Sequence, residues 1–302
     1  MDLPDSITAI EAQLGGDGAI TVDPQLLSGA DVFAAERQRL FLRPWVAVDH
    51  QSRISEPGRY VRFEAASRSI LLTRDHEGRL RALRNVCLHA GYPICEAEEG
   101  PADRLVCPYH GWEFAADGRL LEPDLSARID PARLRLASHP VCIRDGLIFV
   151  DLSKPAAATD DIDDAPVASG TVPPWLGAAE VTARARYATE WNWKLALQFV
   201  KTAPYLFCEN RGTDAPIGGD FIGFGPLSFM LSQPDQATLL RVIPKSAAHT
   251  DIQVIRMAPS GTPPADLDGI ADQLRAAGET DTLAGKLDRA FFGWYWSLMT
   301  DD

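Results

Sequence analysis

Short β-prone runs broken by Gly, Asp or Pro fill the chain from Trp45 to Leu152. Ser69-Ile70-Leu71-Leu72-Thr73-Arg74, Leu105-Val106 and Leu147-Ile148-Phe149-Val150 are the clearest, and together they predict a compact antiparallel β region. Glu77-Gly78 and Asp117-Gly118 each stand between apolar runs, where glycine takes a positive φ at little cost, so both predict hairpin turns. The flanks carry a different period. Val32, Ala35 and Leu40 fall along one face of the stretch Asp31 to Leu40, which predicts a helix ended by Pro44. Lys154 to Pro174 is rich in Ala, Asp, Pro, Gly and Thr, with too few large apolar groups to offset ordering, and reads as a linker. Beyond it the pattern predicts a strand over Val181 to Thr189, a helix over Trp191 to Lys201 and strands between Phe221 and Met257. An amphipathic helix over Asp266 to Ala277 and a last helix from Thr282 to Met299, breakable at Gly293, complete the reading. The fold class is α+β, in four parts: a helical lead-in (1–40), an antiparallel β domain (41–155), a linker (156–174) and a second domain (175–302). A chain of 302 residues is long enough for two domains. The GxG at Gly223 to Gly225 lacks a third glycine and a following helix, so no nucleotide-binding loop is predicted.

A formal charge of -13 changes the list of partners. A negative surface repels phosphates instead of releasing their counterions, so nucleic acid and anionic lipid are not expected partners, and a basic protein fits better. No run approaches the eighteen or so apolar residues of a membrane helix, and Met1-Asp2-Leu3-Pro4-Asp5 has no positive, apolar secretory start. A cytoplasmic protein is expected. Five cysteines, Cys87, Cys95, Cys107, Cys142 and Cys208, are sparse and odd in number, which favours metal ligation or plain burial over a disulfide framework.

The most specific feature is Cys87-Leu88-His89, then seventeen residues, then Cys107-Pro108-Tyr109-His110. A structural zinc site with two Cys and two His is one reading. Zinc fingers, however, pair like ligands along the chain, whereas each loop here offers one of each. A Rieske [2Fe-2S] centre needs that mixture, because one iron takes two thiolates and the other two imidazoles.

Around these ligands, Ala82-Leu83-Arg84-Asn85-Val86-Cys87-Leu88-His89-Ala90-Gly91 and Cys107-Pro108-Tyr109-His110-Gly111-Trp112 closely resemble the Rieske domain of the Rieske non-haem iron oxygenase (aromatic-ring-hydroxylating oxygenase) α subunits. The likeness spans about residues 40 to 155 and takes in the Asp117-Gly118 turn and Asp145-Gly146-Leu147-Ile148-Phe149-Val150. It implies a cluster held by Cys87, His89, Cys107 and His110. Ala90 stands where the oxygenases commonly have arginine. Tyr92 and Tyr109 occupy the places where respiratory-chain Rieske proteins carry bridging cysteines, so a potential towards the low end of the Rieske range is expected. Cys95 and Cys142 read as buried thiols.

Trp191-Asn192-Trp193-Lys194-Leu195-Ala196-Leu197 resembles the entry into the catalytic helix of the same family. The resemblance implies a shortened helix-grip (START-like) α/β domain, which in the family holds a mononuclear iron with two His and a carboxylate. Counting on without gaps, the family expects a Glu-Asn pair, a bridging Asp, a Tyr-His pair and a second His. This chain has Gln198-Phe199, Ala203, Tyr205-Leu206 and Arg211. Leucine has no lone pair and arginine brings only donors, so the mononuclear iron is expected to be absent. His249 is the only histidine after His139, and Glu209, Asp214, Asp220 and Asp288 are lone carboxylates. His50, His76 and His139 read as surface or structural residues. Only about ten residues separate Arg211 from Phe221, where the family builds much of its substrate pocket.

The resemblance implies a ring, trimeric in form, in which one subunit's cluster faces its neighbour's iron. The leading expectation is therefore a hetero-oligomeric electron-transfer subunit. It would take electrons from a reductase or ferredoxin and pass them to a related catalytic α subunit that carries the iron. Two alternatives stand beside it: a self-contained hydroxylase or demethylase with an unconventional iron site, and a structural or redox-sensing subunit. The aromatic run Phe291-Phe292-Gly293-Trp294-Tyr295-Trp296 reads first as core and second as a subunit contact.

Overall fold

Ile70, Leu71 and Leu72 are consecutive and fully buried, which a strand allows only when both of its faces are covered. They lie in the β half of a computed structural model that describes residues 3–16, 20–43, 45–121, 134–156, 170–207, 219–264, 266–278 and 287–300. Contacts divide the chain into two units. One comprises Pro44–Val167 and Pro174–Glu180, the other Met1–Arg43, Ala168–Pro173 and Val181–Asp302. The N-terminal segment therefore groups with the C-terminal half. Pro44, most of the expected linker and the expected start of the last helix at Thr282 lie outside the described residues.

In chain order the β unit holds β1 (Val46–His50), β2 (Arg59–Ala65), β3 (Arg68–Arg74), β4 (Leu80–Arg84) and β5 (Glu99–Pro101). Then come β6 (Leu105–Val106), β7 (Glu113–Phe114), β8 (Ser138–His139), β9 (Val141–Arg144) and β10 (Leu147–Val150). The sheets run β5-β2-β3-β4-β8, β1-β10-β9 and β6-β7, and the pairings of neighbours are antiparallel. β3 sits in the middle of the largest, which accounts for its burial. Two expected turns are present. Gly78 takes φ +79° between β3 and β4, with Asp75 Oδ1 accepting from the Glu77 and Arg79 amides, and Gly118 takes φ +85° after Asp117. Asp145 and Gly146, at φ +50° and +81°, turn β9 into β10. A Cβ on Gly146 would meet His50 Nε2 at 2.4 Å and Leu176 O at 2.8 Å, so glycine is also required by close approach.

The second unit carries one sheet ordered β11-β15-β14-β13-β12, from β11 (Ala179–Thr189), β12 (Asp220–Gly223), β13 (Ser228–Ser232), β14 (Ala237–Pro244) and β15 (Thr250–Pro259), with β12 to β15 paired antiparallel. Its helices are α1 (Asp5–Leu14), α2 (Gln25–Ser28), α3 (Ala30–Glu36), α4 (Trp193–Thr202), α5 (Ile270–Gly278) and α6 (Arg289–Thr300), with a π-helical turn at Arg37–Phe41. Asn192 Oδ1 caps α4 by accepting from the Lys194 amide at 3.0 Å, so the helix starts at Trp193 and not at Trp191. α4 is buried on several sides because it packs on β14 and β15 while Trp193 meets Phe41 and Tyr295.

A wholly buried polar group ties this unit together. Glu36 accepts from Trp193 Nε1 at 2.7 Å, from the Tyr295 hydroxyl at 2.8 Å and from Lys194 Nζ, which also donates to Leu26 O at 2.6 Å. Burial pushes the Lys194 ammonium below its ordinary range while Glu36 pulls it back, and burial with the Glu36 charge raises Tyr295 well above its own. Arg289 Nη1 closes α1 by donating to Gln13 O and Leu14 O at 3.0 and 2.8 Å. In the terminal aromatic run, Phe291, Phe292 and Tyr295 are core residues. Two boundaries differ from expectation. Asp266 accepts from the Asp268 amide in a turn, which delays α5 to Ile270, and α6 runs through Gly293 unbroken. Among the described residues no helix is long and apolar enough to cross a membrane.

Candidate metal centre

Two loops of nearly identical build carry the CxH and CxxH motifs. In the first, the Cys87 amide donates to Tyr92 O at 2.8 Å and the Gly91 amide to Cys87 O at 3.0 Å. In the second, Cys107 donates to Trp112 O at 2.8 Å and Gly111 to Cys107 O at 3.0 Å. Gly91 and Gly111 hold φ +73° and +72°, a conformation that a Cβ would strain. The one difference is the histidine's offset, two residues after Cys87 and three after Cys107. The His89 and His110 rings then meet with centroids 4.4 Å apart.

The two ends of the site differ in exposure. Cys87 and Cys107 are buried, at 3% and 2%, with their thiols in contact, whereas His89 and His110 are exposed. Burial pushes the Cys87 thiol up, as does Cys107, while the amides of His89 and Ala90 donate to it and pull it down; the net direction is up. Among the described residues no three His, Cys, Asp or Glu side chains converge as a single ion would need. The donors stand instead as a thiol pair and an imidazole pair. That division fits a [2Fe-2S] cluster, with amides already aimed at a sulfur.

Beneath the loops lies a core that includes Leu71, Leu83, Ile94, Leu105 and Phe114. Asn85, which sequence reasoning assigned no role, anchors the far side of the first loop. Its Oδ1 accepts from the Ile94 and Cys95 amides at 2.9 Å, and its Nδ2 donates to Cys95 O at 2.7 Å and Ser69 Oγ at 3.0 Å. An amide side chain two residues before a candidate ligand is the trace of it that the sequence carries. Rings surround the imidazoles: His89 stacks on Trp112 at 5.0 Å, Tyr109 lies 4.0 Å from His110, and Tyr92 stacks on Tyr109. Val86, Leu88, Tyr92, Val106 and Tyr109 leave large apolar groups exposed around this end.

Other sequence candidates resolve into structural roles. Cys95 is buried, hydrogen-bonded to the Tyr60 hydroxyl and raised by burial to about 11. Cys142, expected to be buried, is only half-buried in β9, and its thiol is likewise raised to about 11. His50 is buried with both ring nitrogens engaged, by Ser52 Oγ and Leu176 O, and His139 is buried on Lys154 O, while His76 is exposed.

At the C-terminal end of α4, Ala203 is buried and Leu206 follows in a short turn of helix, Pro204–Phe207. The side chain of Tyr205 and residues Cys208, Glu209, Arg211 and Asp214 lie outside what is described. His249 is not near: it sits in the turn between β14 and β15, bonded to Ser246, and the neighbouring Ala247 O accepts from Asn192 at the opposite end of α4. Ten helical residues rise about 15 Å, which separates that turn from Ala203. Asp288 caps α6 by accepting from the Phe291 amide at 2.9 Å, and Asp220 is exposed at the start of β12.

The Rieske [2Fe-2S] domain family matches residues 44–138, so this part of the chain is a Rieske domain. The glycine betaine monooxygenase oxygenase subunit of Chromohalobacter salexigens is 31% identical over 55% of this chain and 38% of its own length. The carnitine monooxygenase oxygenase subunit of Escherichia coli is 29% identical over 47% and 39%. The match thus spans well under half the length of these curated relatives. A quaternary ammonium Rieske monooxygenase solved with γ-butyrobetaine shares the fold at TM-score 0.68 and 17% identity, covering 99% of this chain and 100% of that one. Naphthalene 1,2-dioxygenase from Rhodococcus does so at 0.66 and 17%, over 95% and 87%. The chain thus carries a Rieske [2Fe-2S] domain and is similar, in sequence around that domain and in fold throughout, to the α subunits of Rieske oxygenases.

Proposed function

We propose that this chain is the Rieske component of a multicomponent non-haem iron oxygenase, taking electrons from a reductase or ferredoxin and delivering them to a related α subunit. Cys87 and Cys107 would hold one iron and His89 and His110 the other. When bound, the cluster supplies a one-electron store. The chain's own part is to bury the thiols, expose the imidazoles and surround them with apolar side chains that suit a protein partner. An exposed imidazole can donate its outer N–H to a partner's carboxylate, which orients the ring and couples proton to electron. This chain's own counterpart of that carboxylate is Ala203, a methyl group.

The observation that carries the reading is this contrast: a complete donor set in the two loops, against Ala203 and Leu206 at the end of α4 with His249 at its other end. Related solved work describes inter-subunit electron transfer in a quaternary ammonium Rieske monooxygenase, which supports a partner of the same family. The test is co-expression with an intact α subunit. Turnover should need both chains and fall away when Cys107→Ser is introduced. Turnover by the lone chain with added reductase would refute the proposal.

A second reading is a self-contained oxygenase acting on a quaternary ammonium compound, favoured by the carnitine and glycine betaine relatives. It requires ligands from residues 208–218, where Glu209 and Asp214 lie but no histidine does. Iron beyond the cluster in the lone chain would favour it.

A further inference from the structure

The four backbone bonds that shape the ligand loops each close within one loop, Cys87 with Tyr92 and Gly91, Cys107 with Trp112 and Gly111. They do not resist the parting of one loop from the other. What crosses the gap is the thiol contact and the rings. Tyr92 of the first loop lies against Tyr109 of the second, with centroids 4.6 Å apart and planes 25° from parallel. His89 of the first loop likewise stacks on Trp112 of the second, at 10°.

Tyr92 and Tyr109 are 46% and 56% exposed, so core packing does not fix where their rings lie. Offset stacking at this separation is attractive in itself, through dispersion and the ring quadrupoles. Pro93 restricts the backbone of Tyr92, which precedes it, and Pro108 fixes its own φ beside Tyr109. Part of the freedom that would be lost when the rings meet is thus already removed. The Tyr109 ring also contacts the His110 ring at 4.0 Å, which places the stack beside a candidate ligand.

We propose that the Tyr92–Tyr109 stack is a non-covalent clamp that holds the two ligand loops together and sets how long the cluster stays bound. The inference rests on the reading that Cys87, His89, Cys107 and His110 hold the cluster. Neither tyrosine is a ligand. Both are positioning residues, and the clamp acts because the loops cannot separate to release iron without unstacking the rings.

The test follows cluster loss into excess chelator by visible circular dichroism, using the full chain with its cluster. Tyr92→Leu and Tyr109→Leu should each speed release by roughly two- to tenfold, the range of one aromatic pair. The double variant should be no faster than the singles, since either change already removes the contact. Tyr92→Phe and Tyr109→Phe should match the parent, because the ring and not the hydroxyl makes the contact. Parental release rates in the leucine variants, or a double variant whose effect is the product of the two singles, would overturn the clamp. If a leucine variant does not load, Tyr92→Met gives a second ringless replacement, and parental release from it overturns the clamp equally. A parent chain without a Rieske spectrum would instead refute the ligand assignment, so the two failures are distinguishable.

Discussion

The ligand loops and the end of α4 lie in parts of the chain that both share the fold of solved Rieske oxygenases, yet they differ in what their described residues offer a metal. The loops present two thiols and two imidazoles on a backbone set by Gly91 and Gly111. The end of α4 presents Ala203 and Leu206 on a helix whose packing is intact, with Trp193 and Lys194 fully buried against Glu36 and Tyr295. Packing and site chemistry are therefore separable: a fold persists on its apolar contacts and satisfied polar groups, whereas a site exists only where particular atoms remain.

Removing a donor should have the largest effect. Cys107→Ser is expected to abolish the cluster's visible absorbance, because its sulfur is buried beside that of Cys87 and the weaker oxygen ligand leaves a buried site incomplete.

Glu36→Ala sharpens the contrast from the other side. It leaves the Lys194 ammonium at zero exposure without its counter-charge, held only by Leu26 O, and strands the Trp193 and Tyr295 donors, so a loss of about 3–5 kcal/mol is expected in denaturant unfolding. The spectrum of any cluster still bound should not change. Replacing Glu36 and Lys194 together by well-packed apolar residues should cost much less than either single change.

A smaller effect concerns pH. Burial lowers the affinity of His50 for a proton below its ordinary 6.5, although Leu176 O and Asp49 act the other way. The unfolded chain then takes up a proton that the folded chain refuses. Stability should fall as pH drops through 6.5 toward the lower folded value, by at most about 1.4 kcal/mol per pH unit from this residue. Thermal melts at pH 7.5 and 5.5 should show a smaller shift in His50→Gln than in the parent. An equal shift in both would remove His50 from the explanation.

The smallest effect is expected at the end of α4, which the proposal leaves without iron. Leu206→Ala and His249→Ala should leave iron per chain unchanged, since neither side chain belongs to a group of three or more candidate metal donors among the described residues. A drop in iron for either would restore that region as a metal site.

Local spacing made much of this legible. The strands around Ile70–Leu72 and Leu147–Val150, the turns at Gly78 and Gly118, and each of the two pairs of candidate ligands depend on residues within a few positions of one another. Other features depend on residues far apart in the chain. Glu36 meets residues more than 150 positions away, at Trp193, Lys194 and Tyr295, and no periodicity within a helix signals such a pairing. The Tyr92–Tyr109 stack was hidden for another reason: it needs both loops to take the same backbone path, which is apparent only once Gly91 and Gly111 are seen at the same φ. Asp288 stands in the sequence as a lone carboxylate because its partner is the amide of Phe291, a backbone group that residue types do not display.

Iron and acid-labile sulfide should be counted on the anaerobically purified lone chain, with EPR of the reduced sample. The proposal requires a Rieske signal with the two irons and two sulfides of one [2Fe-2S] cluster, and nothing more. A stoichiometric additional iron, or zinc in place of the cluster, would contradict it.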